Sequence, residues 1–203
     1  MGLTQEFEMQ YWSLDKYVLG LDEAGRGPMA GPCVVCGVVF EKGYDHPEIN
    51  DSKQMSDTKR RKLVDIIKRD AIYYFVEIID VETIDSKNIY ASVQDAMRDI
   101  AKKANVDVVL TDAMPIEVDT KEVVSIVKGD ARSLSIAAAS ILAKTIRDDI
   151  MIELDGLYPE YGFKNHKGYG TKAHKQAIIK HGRCPAHRMS FRFKDEVQIS
   201  LDI

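Results

Sequence analysis

An unbroken apolar run over residues 33–40 limits the folds open to this chain. The run is short, rich in valine and preceded by a stretch rich in glycine and proline, which predicts a buried β-strand. Positions i and i+3 of a strand point to opposite faces, so Cys33 and Cys36 cannot readily chelate one metal. We therefore interpret this Cys-x-x-Cys pair as core packing rather than as a zinc or redox site.

Strands and helices alternate along the rest of the chain, a pattern typical of α/β proteins. Strands are predicted at residues 17–21, 33–40, 72–79, 106–110 and 123–127. Helices are predicted at residues 56–69, within 81–103, at 133–154 and at 172–181, the last ending at Gly182. Three small residues, Ala137 to Ala139, are expected to let the long helix pack closely against the sheet.

Acidic and basic residues are distributed unevenly. The formal net charge is −4, but residues 161–194 contain nine Lys or Arg and no Asp or Glu. The rest of the chain, with 19 basic and 32 acidic residues, carries −13. Four of the five histidines, Phe163 and Tyr169 lie among these cations, which indicates a surface that binds a polyanion such as nucleic acid. A solvated basic face is the alternative.

Acidic residues follow two of the predicted strands. Asp22 and Glu23 come directly after residues 17–21, and Asp112 follows residues 106–110. The C-terminal ends of strands form the usual ligand crevice of open α/β sheets, so Asp22 and Asp112 converge if their strands are adjacent and parallel. Asp130, between a third strand and a long helix, is the fourth candidate, although taken alone it is better interpreted as a cap or turn residue.

Four carboxylates in one crevice repel one another unless cations share the site. All the candidate ligands are oxygens, without His or Cys nearby in the sequence, and this selects Mg²⁺ or Mn²⁺ over zinc. Two such ions, about 4 Å apart, can activate water and stabilise the leaving oxygen in phosphodiester hydrolysis. The sequence therefore predicts a metal-dependent nuclease whose catalytic and metal-binding residues are Asp22, Glu23, Asp112 and Asp130.

Gly25, Arg26 and Gly27 follow the acidic pair. The glycines leave the backbone free to approach a ligand, and Arg26 offers donors suited to phosphate. By itself a Gly-Arg-Gly sequence is often only a turn, so its interpretation depends on the carboxylates beside it.

Taken together, these residues resemble the ribonuclease HII family. The matching segments occur in family order between about residues 17 and 193, and they are specific in combination although none suffices alone. They are LDEAGRGPMAGP at 21–32, DSK at 51–53, TDA at 111–113, KGDARS at 128–133, SIAAASILAK at 135–144, HKGYGTK at 166–172 and HRMSF at 187–191.

The resemblance implies an RNase H-like α/β fold, with a central five-stranded mixed sheet flanked by helices and a small helical C-terminal extension. It divides the chain into an N-terminal arm (residues 1–16), a catalytic domain (residues 17–155) and a basic extension that contributes to substrate binding (residues 156–203).

The implied reaction is endonucleolytic hydrolysis of RNA in RNA–DNA hybrids and at single ribonucleotides in duplex DNA, by two Mg²⁺ or Mn²⁺ ions, leaving 3′-hydroxyl and 5′-phosphate ends. The four carboxylates match the family's metal ligands. Gly25, Arg26 and Gly27 match the loop that senses the ribose 2′-hydroxyl, Tyr169 the tyrosine that packs on the adjoining deoxyribose, and Lys53 a substrate contact.

Three alternatives compete with this interpretation. The first is a resemblance to ribonuclease HIII, whose pattern is a longer chain with an extra N-terminal domain and a Glu as the fourth carboxylate. This chain instead has a short arm and Asp130. A nucleic-acid-binding module without catalysis would gain nothing from four carboxylates beside phosphates. Zinc binding by His181, Cys184 and His187 lacks a fourth nearby ligand.

The chain is expected to be a cytoplasmic monomer without a membrane partner. It has no apolar run near the roughly 20 residues that span a bilayer, and its first residues are acidic and polar, unlike a secretory signal. Three cysteines, an odd number, argue against a disulfide framework and fit a reducing compartment.

Overall fold

A computed structural model describes residues 3, 5–50, 52 and 55–194. The strands β1 to β5 span Val18–Ala24, Cys33–Val39, Tyr73–Ile79, Val108–Asp112 and Glu122–Ile126. The helices α1 to α7 span Glu6–Trp12, Asp57–Asp70, Val81–Lys87, Ile89–Lys103, Leu134–Leu157, Phe163–His166 and Lys172–His181. No helix in these described ranges is long and apolar enough to cross a bilayer.

The five strands form one mixed sheet in the order β3-β2-β1-β4-β5. β3, β2 and β1 pair antiparallel, while β1, β4 and β5 pair parallel. The predicted five-stranded mixed sheet is therefore confirmed. The parallel pairing of β1 with β4 also meets the condition on which the convergence of Asp22 and Asp112 depended.

Helices cover both faces of the sheet, which explains why β2 is apolar throughout. Cys33 and Val35 face a core that includes Met97 and Ile100 of α4. Cys36 and Val38 face the opposite core, formed with α2 and α5. The two thiols thus lie on different faces of the sheet, as the sequence predicted.

Helix α5 packs closely against β1 because small residues meet at their contact. Ala137, Ala138 and Ala139 are fully buried. On the strand side, a Cβ added to Gly20 would lie 2.3 Å from the backbone nitrogen of Ile136, so only glycine fits this position. This close approach brings the N-terminal half of α5 against the end of β1 that carries Asp22.

The C-terminal extension packs on the loop between β1 and β2 and on the second half of α5. Its core joins Phe163, Ile178 and Phe193 of the extension to Met29 of that loop and Met151 of α5. Two backbone hydrogen bonds reinforce this contact, from the Met29 N–H to the Gly168 carbonyl and from the Gly31 N–H to the Ala186 carbonyl, both 2.8 Å.

Most predicted elements occur within a few residues of their expected bounds. β1 is longer than predicted and contains Asp22 and Glu23, rather than ending before them. The stretch 81–103 forms two helices, α3 and α4, that meet at Asn88. Helices α1 and α6 were not predicted from the sequence.

Candidate active site

The strand ends bring three of the four predicted carboxylates to one cavity. Leu21 of β1 pairs with Thr111 of β4, and the next residue of each strand is an aspartate, Asp22 and Asp112. The cavity has a volume of about 380 Å³. Its lining residues are Asp22, Glu23, Ala24, Gly25, Arg26, Gly27, Ser52, Asp112, Ser140, Lys144, Arg147 and Tyr169.

Asp130, the fourth predicted carboxylate, is not among the residues that line this cavity. It is buried, and it occupies a single 3₁₀ turn, Gly129–Ala131, just before α5. The turn is tied to the neighbouring carboxylate, because the Gly129 N–H donates to Oδ1 of Asp112 over 2.8 Å. The structure therefore gathers Asp22, Glu23 and Asp112, with Asp130 one residue from a direct contact to Asp112.

Burial and mutual repulsion set the electrostatics of Asp22, which is only 4% exposed. Burial, and then the charges of Glu23 and Asp112, raise its pKa well above its usual range. Hydrogen bonds from Ser140 and from the Glu23 N–H act in the opposite direction. The ionised group is thus unfavourable where it stands, and a cation beside it would offset that cost.

The carboxylates share the cavity, but their side chains do not converge on a single metal position. Within the ranges that the structure describes, no three His, Cys, Asp or Glu side chains are gathered tightly enough to hold a metal ion as they stand. Glu23 lies 3.2 Å from the guanidinium of Arg26, measured from Oε1 to Nε. In this arrangement the charge of Glu23 is partly balanced by Arg26.

The Gly-Arg-Gly loop is held in a conformation that requires glycine. Gly25 has φ +104°, and a Cβ there would lie 2.1 Å from Nε of Arg147 and 2.8 Å from the Pro32 carbonyl. A Cβ on Gly27 would lie 3.6 Å from the ring of Tyr169, which is van der Waals contact. The half-exposed Tyr169 ring therefore lies next to this loop at the cavity.

Two buried arginines hold the loop by its carbonyl oxygens. Arg188, from the extension, donates to the carbonyls of Gly25, Arg26 and Gly31 over 2.6, 3.0 and 3.0 Å. Arg147, from α5, donates to the carbonyls of Pro32 and Ala30 over 2.9 and 3.2 Å. Burial lowers the pKa of both groups, to about 10 for Arg188. The planar guanidinium suits this work, because it presents several donors in a fixed geometry.

Sequence reasoning assigned no role to five residues at this site: Ser52, Ser140, Lys144, Arg147 and Arg188. The hydroxyls of Ser52 and Ser140 lie 2.9 Å apart at the cavity wall. Nζ of Lys144 donates to Asp148, and burial lowers the pKa of this lysine. Four of the five lie in segments that carry the resemblance, at 51–53, 135–144 and 187–191, while Arg147 had no such signal.

Two other predictions have different outcomes. Lys53 lies outside the described residues, so its substrate contact stays a prediction. For the zinc alternative, Sγ of Cys184 does lie 3.2 Å from Nδ1 of His187. Both ring nitrogens of His187 nevertheless have hydrogen-bond partners that compete with a metal, since Nδ1 accepts from the Cys184 N–H over 3.0 Å and Nε2 lies 3.1 Å from Nε2 of His174.

The sequence of the chain is similar to those of known ribonucleases HII. The family model described as Ribonuclease HII matches residues 19–194. A ribonuclease HII of Acholeplasma laidlawii is 47% identical over 177 residues, covering 86% of this chain and 87% of its own. One of Clostridioides difficile is 51% identical over 178 residues, covering 86% of this chain and 69% of its own.

Solved structures share the fold at lower identity. Ribonuclease H2 of Pyrococcus horikoshii OT3 has a TM-score of 0.78 at 22% identity, covering 92% of this chain and 99% of its own. Bst-RNase HIII in complex with Mn²⁺ has a TM-score of 0.66 at 16% identity, covering 91% of this chain and 70% of its own.

Proposed function

The chain belongs to the ribonuclease HII family, and from that premise we propose that Asp22, Glu23, Asp112 and Asp130 are its catalytic, metal-binding residues. As a member of this family, the protein is an endonuclease that cleaves the RNA strand of RNA–DNA hybrids. The register of β1 with β4, which sets Asp22 beside Asp112 at the cavity, is the observation that carries the assignment.

The donor set fits a hard divalent cation. Its atoms are carboxylate oxygens, and the raised pKa of Asp22 marks a place where positive charge is favourable. The Mn²⁺ complex of Bst-RNase HIII, which shares the fold, supports the same class of ion. We propose two Mg²⁺ or Mn²⁺ ions, which when bound would supply a more acidic water and stabilise charge at the leaving oxygen.

The chain's own residues position the substrate for this hydrolysis. Water attacks the phosphorus and the bond to the ribose 3′ oxygen breaks, which leaves a 3′-hydroxyl and a 5′-phosphate. Lys144 lies on the cavity wall, and Arg26 lies at its edge, where each can attract the phosphate. Lys53, beside Ser52 in the sequence, is proposed as a further substrate contact.

Recognition of ribose is assigned to the Gly-Arg-Gly loop and Tyr169. The 2′-hydroxyl is the group that distinguishes RNA from DNA, and the wide minor groove of an A-like hybrid exposes it. Gly25 and Gly27 allow the backbone of the loop to approach that hydroxyl closely. Tyr169, next to Gly27 at the cavity, would pack on the deoxyribose that follows, so that a single ribonucleotide in duplex DNA is also cut.

The basic extension would hold flanking phosphates without reading bases. Residues 161–194 carry nine Lys or Arg and no acidic residue. Contacts to phosphates fix position but carry no sequence information, so we expect cleavage that is independent of base sequence and weakened by salt.

A cytoplasmic monomer is proposed as the working form. Cys33, Cys36 and Cys184 are free, which suits a reducing compartment. Light scattering coupled to gel filtration tests the monomer, which a mass of two chains would contradict.

A duplex with one embedded ribonucleotide tests the metal assignment. With Mg²⁺ or Mn²⁺, the unaltered protein should cut it, while Asp22→Asn and Asp112→Asn should each lose at least roughly 100-fold in rate but still bind a hybrid. Asp119→Asn makes the same chemical change at an exposed position outside the cavity and serves as the control.

The ions can be followed without activity as well. Mn²⁺ should raise the melting temperature of the unaltered protein and of Asp119→Asn, and should raise that of Asp112→Asn much less. Unchanged cleavage by both Asp22→Asn and Asp112→Asn would show that the assignment is wrong.

A further inference from the structure

A buried histidine pair lies behind the loop that carries Tyr169. His174 and His187 are 0% and 1% exposed, and their Nε2 atoms are 3.1 Å apart. The edge of the Phe163 ring packs on His174, with centroids 5.5 Å apart, and the Tyr161 ring packs on His187 at 4.8 Å. The chemistry proposed above uses neither imidazole.

The hydrogen bonds around this pair assign one proton to each ring. The backbone N–H of Cys184 donates to Nδ1 of His187 over 3.0 Å, so the proton of His187 is on Nε2. That Nε2–H donates to Nε2 of His174, which places the proton of His174 on Nδ1. Nδ1–H of His174 then donates to the backbone carbonyl of Tyr169 over 2.9 Å.

Both imidazoles have to be neutral for this chain of bonds to exist. A second proton on His174 would set its Nε2–H against the Nε2–H of His187. A second proton on His187 would lie on Nδ1, against the backbone N–H of Cys184. Burial lowers the pKa of His174 to about 4, and the nearby His166 and Arg183 act in the same direction, against the carbonyls of Tyr169 and Gly168. His166 stacks on His174 with ring centroids 4.5 Å apart.

The pair also connects the two parts of the proposed ribose-binding site, the Gly-Arg-Gly loop and Tyr169. His187 precedes Arg188, whose guanidinium holds the carbonyls of Gly25 and Arg26. Its partner His174 holds the carbonyl of Tyr169. The hydrogen bond between the two rings therefore connects the support of the Gly-Arg-Gly loop to the support of the tyrosine.

We propose that His174 and His187 are positioning residues that fix Tyr169 relative to the Gly-Arg-Gly loop, and so set the preference for a ribose–deoxyribose junction. The inference rests on the proposed role of Tyr169 in substrate binding. The Tyr169 carbonyl accepts two hydrogen bonds, one from the Thr171 N–H over 2.8 Å within its own loop and one from His174. Without the pair, the loop would lose the one that ties it to the rest of the extension, and the Tyr169 ring would face the cavity in several orientations.

Two amide variants of His174 separate positioning from packing. In Asn, the amide nitrogen takes the place of Nδ1, so His174→Asn keeps a donor for the Tyr169 carbonyl. In Gln, the amide takes the place of Nε2, so His174→Gln keeps the contact with His187 and loses that donor. Both remove the ring, which makes them matched controls for the loss of packing.

The measurement is kcat/KM on a duplex with one ribonucleotide, divided by kcat/KM on a long RNA–DNA hybrid. We expect Tyr169→Ala to lower this ratio roughly tenfold, and His174→Gln to lower it by a similar factor, while His174→Asn should lower it much less. His174→Gln should change the ratio no further in a Tyr169→Ala background. Equal ratios for the Asn and Gln variants would overturn the inference.

Nitrogen-15 NMR of the imidazoles gives a readout that does not depend on cleavage. We expect Nδ1–H on His174 and Nε2–H on His187 at neutral pH, and the opposite tautomer of His174 would overturn the inference. If Tyr169→Ala leaves the ratio unchanged, the proposed substrate role of Tyr169 fails instead. In that case the NMR resonances of the Tyr169 ring test whether the histidine pair positions it. A shift of these resonances in His174→Gln but not in His174→Asn supports positioning, and the absence of a shift in both variants refutes it.

Discussion

Asp22 is a residue at which the requirements of catalysis oppose those of stability. It is buried beside Glu23 and Asp112, and their charges and its desolvation all disfavour its ionised form. Functional sites commonly retain such unfavourable groups, because the surrounding fold holds them in place. The cavity is therefore expected to cost stability whenever no cation is bound to it.

Asp22→Asn should stabilise the ion-free protein by about 1 kcal/mol, because it removes one buried charge and the repulsion of that charge by Glu23 and Asp112. The amide oxygen of Asn can still accept from the Glu23 N–H, which now bonds Oδ1 of Asp22 over 2.7 Å. Urea unfolding in the presence of a chelator gives the value, with the exposed Asp119→Asn as control. A variant less stable than the unaltered protein would contradict this account of the site.

Many individual residues of the site could be predicted, because strand ends and glycines leave a pattern in the sequence. Asp22, Glu23 and Asp112 lie on one cavity for the reason the sequence suggested, adjacent parallel strands. Arg188 lies in a segment that carries the resemblance, but its role could not be predicted, because the carbonyls it binds lie more than 150 residues away in the chain. A residue whose partners are backbone atoms of a distant loop gives no periodic signal.

Among the helices, α1 contributes most that the sequence did not predict. Its Glu8 is fully buried and accepts hydrogen bonds from the hydroxyl of Ser133, the N-cap of α5, and from the Ser135 N–H at 2.9 Å. Desolvation raises the pKa of Glu8, whereas these bonds lower it. An acidic residue in a short, polar segment looks solvent-exposed, and only the tertiary contact with α5 makes it a cap.

This contact steadies the turn that carries Asp130. Arg132, next to that turn, pairs with Glu6 and lies over the Phe7 ring at 4.9 Å. A carboxylate at a helix N-terminus also interacts favourably with the helix dipole. Helix α1 therefore fixes the start of α5 from outside the sheet.

Glu8→Ala should lower the free energy of unfolding by about 1–2 kcal/mol, the usual cost of a lost N-terminal cap. Glu8→Gln should cost less, because its amide oxygen still accepts from α5. Glu6→Ala, which removes an exposed ion pair on the same helix, should change stability by less than about 0.5 kcal/mol. Urea unfolding compares the three, and equal losses for Glu8→Ala and Glu6→Ala would rule out the capping role.

At the scale of the whole molecule, the division at residues 16 and 155 stays a prediction, and the contacts favour a single cooperative unit. Trp12 of α1 packs against two of the cores that bound the sheet. Phe163 and Ile178 of the extension share a core with Met151 of α5. Segments joined through one long central helix are expected to unfold together.

The chain contains its own probes for testing this cooperativity. Trp12 is the only tryptophan and reports on α1, while Cys33 and Cys36 report on the sheet and Cys184 on the extension. Trp12 fluorescence and pulsed thiol labelling of each cysteine, resolved by peptide mass, should give one common urea midpoint. Labelling of Cys184 at distinctly lower urea would instead mean that the extension, and with it the supports of Tyr169 and Gly25, unfolds before the sheet.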